Sequence, residues 1–288
     1  MTLQEFNKLE KHQAHELLAT TCGSGAWQSL IMTRFPFESE KELVRSAGEI
    51  WYHGCSRQDW LEAFSQHPKI GDTKSIAEKF PSTKHLAGSE QSGVDAASED
   101  VIEQLSKAND LYEAKFGFIF IVFANGKTAP EMLRILQDRS SNNYEEELII
   151  AMGEQLKITI QRFKKVIPAA DWTKVNGSQL TSHVLDTSLG VPGKNMTVRL
   201  KHFVNNTWYT LAQGVTNADG RVGDFLPAEK YVVPGNYKMV FETFNYFRAN
   251  NIKGFYPEVE VFFTVPDEAH YHIPLLINPY GYSTYRGS

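Results

Sequence analysis

Residues 143–186 read NYEEELIIAMGEQLKITIQRFKKVIPAADWTKVNGSQLTSHVLD, and the hydrophobic period changes within them. From Asn143 onward Leu148, Met152, Leu156, Thr159 and Phe163 recur at steps of three and four, while Glu145, Glu146, Lys157, Gln161 and Lys164 fall elsewhere. That spacing predicts one long amphipathic helix. Past Pro168 neither helical nor strand period holds, and Pro168-Ala169-Ala170-Asp171 with Asn176-Gly177-Ser178 has the composition of a linker. The run Leu180 to Asp186 then reads as a first strand. The expectation is two domains of different class: an all-α domain over 1–167, a linker over 168–177, and an all-β domain over 178–288.

Upstream, Ser39 with Glu42, Ser56 with Asp59, Thr128 with Glu131, and Asn143 with Glu146 each set a capping oxygen three residues before a carboxylate, the signature of a helix start. Ser98 to Phe116 repeats the helical stripe through Val101, Leu105, Ala108, Leu111, Tyr112 and Phe116. The longest apolar run, Phe116 to Ala124, is broken by Gly117 and has strand or short-helix length. Downstream, Met196, Val198, Leu200 and His202 alternate with Thr197, Arg199 and Lys201, as a half-buried strand requires. Further strands are expected at Lys238 to Asn245, Glu258 to Val265 and His270 to Ile277. Turn formers at Val191-Pro192-Gly193, Asn217-Ala218-Asp219-Gly220 and Val233-Pro234-Gly235 separate them, which suggests an antiparallel sandwich.

Composition narrows the function. A chain of 288 residues matches two domains of about 150 residues. With 29 Lys and Arg against 34 Asp and Glu, and no large basic cluster, nucleic acid is not an expected partner. Two cysteines, Cys22 and Cys55, cannot form a disulfide framework, so a reducing compartment is expected. The first ten residues lack a signal-peptide core, no run reaches a membrane span, and Arg286-Gly287-Ser288 is no peroxisomal address; the expected location is cytoplasmic, without membrane insertion.

Histidine is the side chain suited to move protons near neutral pH. His183 falls in the first strand, and His270 and His272 sit two apart on one face of a later one. Such a pair is also half of a metal site, so a zinc hydrolase built on His183, His270 and His272 is one reading. The strings Leu180-Thr181-Ser182-His183-Val184-Leu185-Asp186, Thr216-Asn217-Ala218-Asp219-Gly220-Arg221, Tyr271-His272-Ile273-Pro274-Leu275-Leu276 and Tyr280 to Ser288 closely resemble the 5-hydroxyisourate hydrolases, transthyretin-like enzymes of urate breakdown. The resemblance implies a tetrameric sandwich, with His183, Arg221, His272 and Ser288 catalytic and with Tyr285 and Arg286 at the substrate. Opening the ring amide needs a deprotonated water, positive charge over the oxyanion and a proton for the leaving nitrogen. One of His183 and His272 is expected to activate water, and the Arg221 fork to hold ring oxygens. No serine or cysteine nucleophile motif is evident.

Read without relatives, His67-Pro68 is a helix end, Ser89-Glu90-Gln91 an exposed loop, and Arg139 and Arg162 belong to solvated helix faces. Asp59-Trp60-Leu61, His67-Pro68, Ser89-Glu90-Gln91, Tyr112 to Phe120, Gly126-Lys127, Arg139 with Asn142, Glu147 and Arg162 together resemble the decarboxylases of 2-oxo-4-hydroxy-4-carboxy-5-ureidoimidazoline (OHCU), which consume the hydrolase's product and yield (S)-allantoin. That family is helical and typically dimeric. The resemblance implies catalytic His67, Glu90 and Arg162, with Pro68, Gln91, Phe118, Ile119, Phe120 and Ile121 shaping the substrate pocket. The electron pair left by carbon dioxide delocalises into the substrate's own ring, so neither an organic cofactor nor a metal is expected. The domain order resembles the fused, bifunctional allantoin synthases of urate degradation. The rival class is a transthyretin-like ligand-binding or scaffold protein.

Overall fold

The computed structural model describes residues 1–70, 99–172, 180–204, 206–222, 232–266 and 269–287. The backbone contacts divide the chain into two units, Met1–Val175 and Asn176–Ser288.

Among the described residues of the first unit the regular elements are helical: α1 (Leu3–Phe6), α2 (Lys11–Ala19), α3 (Gly25–Met32), α4 (Glu40–Glu49), a π-helical turn at Ile50–Gly54, α5 (Arg57–Ser65), α6 (Glu99–Phe116), α7 (Ala129–Arg139) and α8 (Tyr144–Val166). All four expected caps are present. Ser39, Ser56, Thr128 and Asn143 stand at the N-caps of α4, α5, α7 and α8, and Ser56 with Asp59 and Thr128 with Glu131 close full capping boxes. Each box satisfies two backbone N–H groups that the helix itself leaves without partners. The core is aromatic, and its tryptophans meet the requirement that a buried indole N–H finds an acceptor. Trp27 donates to the Ala47 carbonyl at 3.1 Å, Trp51 to Met152 at 2.9 Å and Trp60 to Trp51 at 2.7 Å.

Three expectations change in this unit. Leu111 is 74% exposed, and the buried stripe of α6 runs instead through Leu105, Asn109, Tyr112 and Phe116, because a carboxamide takes the inward position. The apolar run expected as a strand or short helix contains no such element after Phe116: residues 117–124 are irregular yet mostly buried. Arg139 and Arg162 are 8% and 5% exposed rather than solvated. Arg139 Nε donates to Glu147 Oε1 at 2.8 Å, while Tyr112 and Asn142 Nδ2 donate to the same carboxylate. Burial alone would lower the Arg139 pKa, but the Glu147 carboxylate outweighs it and the guanidinium is held charged.

In the second unit β2 (Val191–Pro192), β1 (Leu180–Asp186), β8 (Tyr271–Asn278) and β9 (Gly281–Thr284) lie side by side in that order, and β5 (Arg221–Val222) also pairs with β1. The facing sheet has the order β4 (Thr207–Val215), β3 (Thr197–Val204), β6 (Gly235–Phe241), β7 (Val259–Val265). Leu180, Val184, Val198, Leu200, Met239, Phe241 and Leu275 fill the space between them. β3 buries Val198, Leu200 and His202, and Met196 just before it is buried too, as alternation predicts. The sandwich is not wholly antiparallel, since β1 and β8 run parallel. The strand expected over Lys238 to Asn245 ends at Phe241 and gives way to the helix α9 (Thr243–Ala249). Val191-Pro192, expected as turn, forms the short strand against Leu185 and Asp186. Nothing in the chain's described helices is long and apolar enough to cross a membrane.

Candidate active sites

In the first unit His67 follows the end of α5, where Pro68 stops helical continuation. His67, Pro68, Phe120 and Ile121 line one cavity with Ile70, Val122, Phe123, Ala124, Asn125 and Ile158. One wall is the second part of the irregular stretch 117–124, from Phe120 to Ala124. Its backbone polar groups lack a helix or sheet ladder, and side chains from three helices supply partners to three of them. Asn109 of α6 accepts from Phe120 N–H at 3.1 Å, Arg139 of α7 donates to the Ile121 carbonyl at 2.9 Å, and Glu154 of α8 accepts from Phe123 N–H at 2.7 Å. Burial pushes the Glu154 carboxyl up, but Lys157 and the Phe123 N–H together hold it low, so it remains an anionic acceptor.

Phe118 and Ile119 are buried but are not lining residues; the Phe118 ring packs on Phe64 at 5.4 Å. Arg162 lies on α8 one turn past the lining residue Ile158. Glu90 and Gln91 fall outside the described residues. One partner of His67 escaped the sequence reading: Gln155 Oε1 lies 2.6 Å from His67 Nε2. The signal was available, because Gln155, Thr159 and Arg162 are polar residues at steps of four and three on the buried stripe of α8. Burial pushes the Cys22 and Cys55 thiols up to about 12, which keeps both protonated at neutral pH.

In the second unit register builds the site. Along β1 the residues Leu180, Ser182 and Val184 are buried, so Thr181 and His183 project from the opposite face. Pairing sets Arg221 of β5 opposite His183, and His272 of β8 beside Thr181. Thr181, Ser182, His183, Asn217, Arg221 and His272 line one open cleft together with His270, Val222, Tyr285 and Gly287. Arg221 is held by the turn before it, where Asn217 Oδ1 accepts from its N–H at 2.9 Å. Gly220 has φ +72° and a Cβ there would stand 2.3 Å from the Val184 carbonyl oxygen, so this turn requires glycine.

Thr181 Oγ1 stands 2.9 Å from His272 Nδ1 and 3.1 Å from His270 Nε2. With Nδ1 engaged, Nε2 is the His272 nitrogen left to meet a reactant. Burial, the Arg221 charge, His183 and His270 all lower the His272 pKa, so its ring is neutral at neutral pH and has a lone pair to accept a proton. The buried His183 Nε2 has no hydrogen-bond partner among the described residues. The three histidines do not form a metal cage: among the described residues no group of three His, Cys, Asp or Glu side chains is placed to hold a metal ion.

The C-terminal stretch is tied to the sheet as far as Gly287. Gly287 N–H donates to the His272 carbonyl at 2.9 Å and carries the tail across this strand. Tyr285 reaches the cleft; Arg286 instead lies over the Tyr271 ring at 4.9 Å and lines a neighbouring groove. Ser288 falls outside the described residues.

Residues 7–164 match the OHCU decarboxylase family, and residues 180–287 match the HIUase/Transthyretin family. A bifunctional uric acid degradation protein of Arabidopsis thaliana, TTL, is 31% identical over 93% of this chain and 96% of its own. A 5-hydroxyisourate hydrolase of Salmonella dublin is 42% identical over 38% of this chain and 80% of its own. Among solved structures, an (S)-allantoin synthase aligns over 100% of both chains with 23% identity and a TM-score of 0.45.

Proposed function

The chain belongs to the bifunctional urate-degradation family that joins an OHCU decarboxylase domain to an HIUase/Transthyretin domain, and on that premise we propose that it converts 5-hydroxyisourate through OHCU to (S)-allantoin at two separate sites. In the hydrolase one of His183 and His272 takes a proton from water as it adds to the ring carbonyl. Arg221 binds the ring oxygens and the developing negative charge, and the ring nitrogen leaves with a proton. Tyr285 and Ser288 close the substrate end, while Arg286, over the Tyr271 ring in the neighbouring groove, supports the tail. In the decarboxylase the bond to the carboxylate breaks, its electron pair enters the conjugated ring, carbon dioxide leaves and one proton returns to that carbon. His67 controls this proton from one face; Arg162, Glu90 and Gln91 hold the polar edge of the substrate, and Pro68, Phe120 and Ile121 line the pocket, with Phe118 and Ile119 buried next to them in the chain.

The observation that best supports this reading is the strand register that brings Arg221 opposite His183 and His272 beside Thr181, in one cleft. Two buried free thiols fit work in the reducing cytoplasm. Self-association of the sandwich as a tetramer, and of the helical domain as a dimer, belongs to the same proposal; exposed Phe262, on the outer strand β7, fits an association surface.

The test is ultraviolet absorbance and circular dichroism followed in time after the protein is mixed with fresh 5-hydroxyisourate in metal-free buffer. Rapid loss of substrate followed by optically active allantoin is expected. Accumulation of OHCU or a racemic product would leave the hydrolase alone, and no acceleration would leave a binding protein.

A further inference from the structure

The hydrogen bonds behind Gln155 decide which nitrogen of His67 carries a proton. Thr159, one turn along α8, donates its hydroxyl to the Gln155 backbone carbonyl at 3.1 Å. With that proton committed, Thr159 Oγ1 faces the Gln155 carboxamide at 3.3 Å as an acceptor, so the carboxamide presents its nitrogen there. Its oxygen is thereby aimed at His67, 2.6 Å from Nε2. An oxygen that only accepts calls for a hydrogen on that nitrogen. Gln155 is 0% exposed and Thr159 2%, so water does not compete for either group.

We infer that Gln155 is a positioning residue of the decarboxylase site, one that keeps His67 protonated at Nε2 and makes Nδ1 the nitrogen through which His67 exchanges its proton. The inference rests on the reading of His67 as the group that controls the proton. In the step concerned, the carbon that loses carbon dioxide accepts the Nδ1 proton, and solvent restores a proton to Nδ1. A neutral carboxamide suits this task. A carboxylate in its place would stabilise the imidazolium and raise the His67 pKa, whereas a hydrocarbon would leave Nε2 without its acceptor and the ring free to adopt the other tautomer.

The experiment compares Gln155→Leu, Gln155→Met, Gln155→Glu and His67→Ala in the full chain, with decarboxylation of freshly generated OHCU measured across pH. Helical circular dichroism and thermal unfolding report folding. Gln155→Leu and Gln155→Met should lose about 100-fold in kcat, the scale of a catalytic group misplaced by about 1 Å, with little change in KM. Gln155→Glu should retain more activity. Its decline at high pH, where His67 loses its proton, should move upward by about one pH unit or more. His67→Ala combined with Gln155→Leu should be no slower than His67→Ala alone.

The inference is overturned if a folded Gln155→Leu or Gln155→Met stays within about threefold of wild type, or if Gln155→Glu leaves the pH profile in place while His67→Ala abolishes decarboxylation. Should both apolar variants fail to fold, the Gln155→Glu profile decides alone. Full activity in His67→Ala would instead remove the underlying reading of His67.

Discussion

Replacing Gly287 with alanine measures how far the C-terminal tail fixes the His272 ring. A Cβ at this position stands 2.5 Å from His272 Cδ2 and 3.0 Å from His272 Cβ. Non-bonded carbons rest at about 3.5–4.0 Å, so relief requires a displacement of about 1 Å. Neither side yields freely: the tail is tied by the Gly287 N–H to the His272 carbonyl at 2.9 Å, and the ring by Nδ1 to Thr181 at 2.9 Å. Because Cδ2 is bonded to Nε2, a ring that gives way carries the nitrogen available to a reactant with it. A tail that gives way withdraws Tyr285 from the cleft. A misplacement of about 1 Å costs on the order of 100-fold, or about 2.7 kcal/mol of barrier. The assay is the decay of 5-hydroxyisourate absorbance, with kcat/KM for hydrolysis expected about 100-fold below wild type and decarboxylation of supplied OHCU within about twofold. Hydrolysis within about threefold of wild type would refute the argument that the tail positions His272.

Three further outcomes follow from the same geometry. His67→Ala should leave ring opening intact and let OHCU accumulate, while His272→Ala should slow ring opening and spare decarboxylation; loss of both activities in either variant, measured in the coupled optical assay, would contradict independent sites. Arg221 helps to hold the His272 pKa below its ordinary range, and removing a positive charge favours the imidazolium, so Arg221→Gln should move the acidic limb of hydrolysis upward as well as lower its rate. An unmoved limb in the kcat/KM profile would show that this limb is not that of His272. Glu147→Leu strips the buried Arg139 of its carboxylate, and urea unfolding of the helical domain should show a loss of about 3–5 kcal/mol; a loss below about 1 kcal/mol would mean that Arg139 finds another partner or water.

What was legible in the sequence depended on whether a local period governed it. The caps of α4, α5, α7 and α8 were readable because an N-cap oxygen reaches the N–H only three residues away. The faces of β1 and β3 were readable because strands alternate with period two. The stretch 117–124 was not: its conformation is set by Asn109, Arg139 and Glu154, which approach from three helices and leave no mark on its own apolar composition. Leu111 failed for a related reason. A count of apolar positions gives leucine priority over Asn109, yet Asn109 takes the inward place because a backbone N–H there needs an acceptor. The resemblance brought His67 and Arg162 forward but not Gln155, whose contact with His67 joins two positions far apart in the chain.

The two sites therefore depend on different kinds of order. In the sandwich Thr181, His183, Arg221 and His272 are carried by paired strands, and a change in register would remove several of them from the cleft together. In the helical unit the cavity wall is irregular backbone held by individual side chains, each of which can be lost singly. Conservative substitutions distant from the reacting atoms should consequently affect the helical site in small, separable steps, through Asn109, Glu154 or Gln155. In the sandwich they should have little effect until pairing fails. A thermal series makes the distinction measurable: hydrolysis should persist nearly unchanged up to a single cooperative loss, whereas decarboxylation in Asn109→Ala should decline at temperatures where helical circular dichroism is still intact. Parallel decline of that activity and the helical signal would show that the wall is held by the fold as a whole rather than by individual side-chain ties.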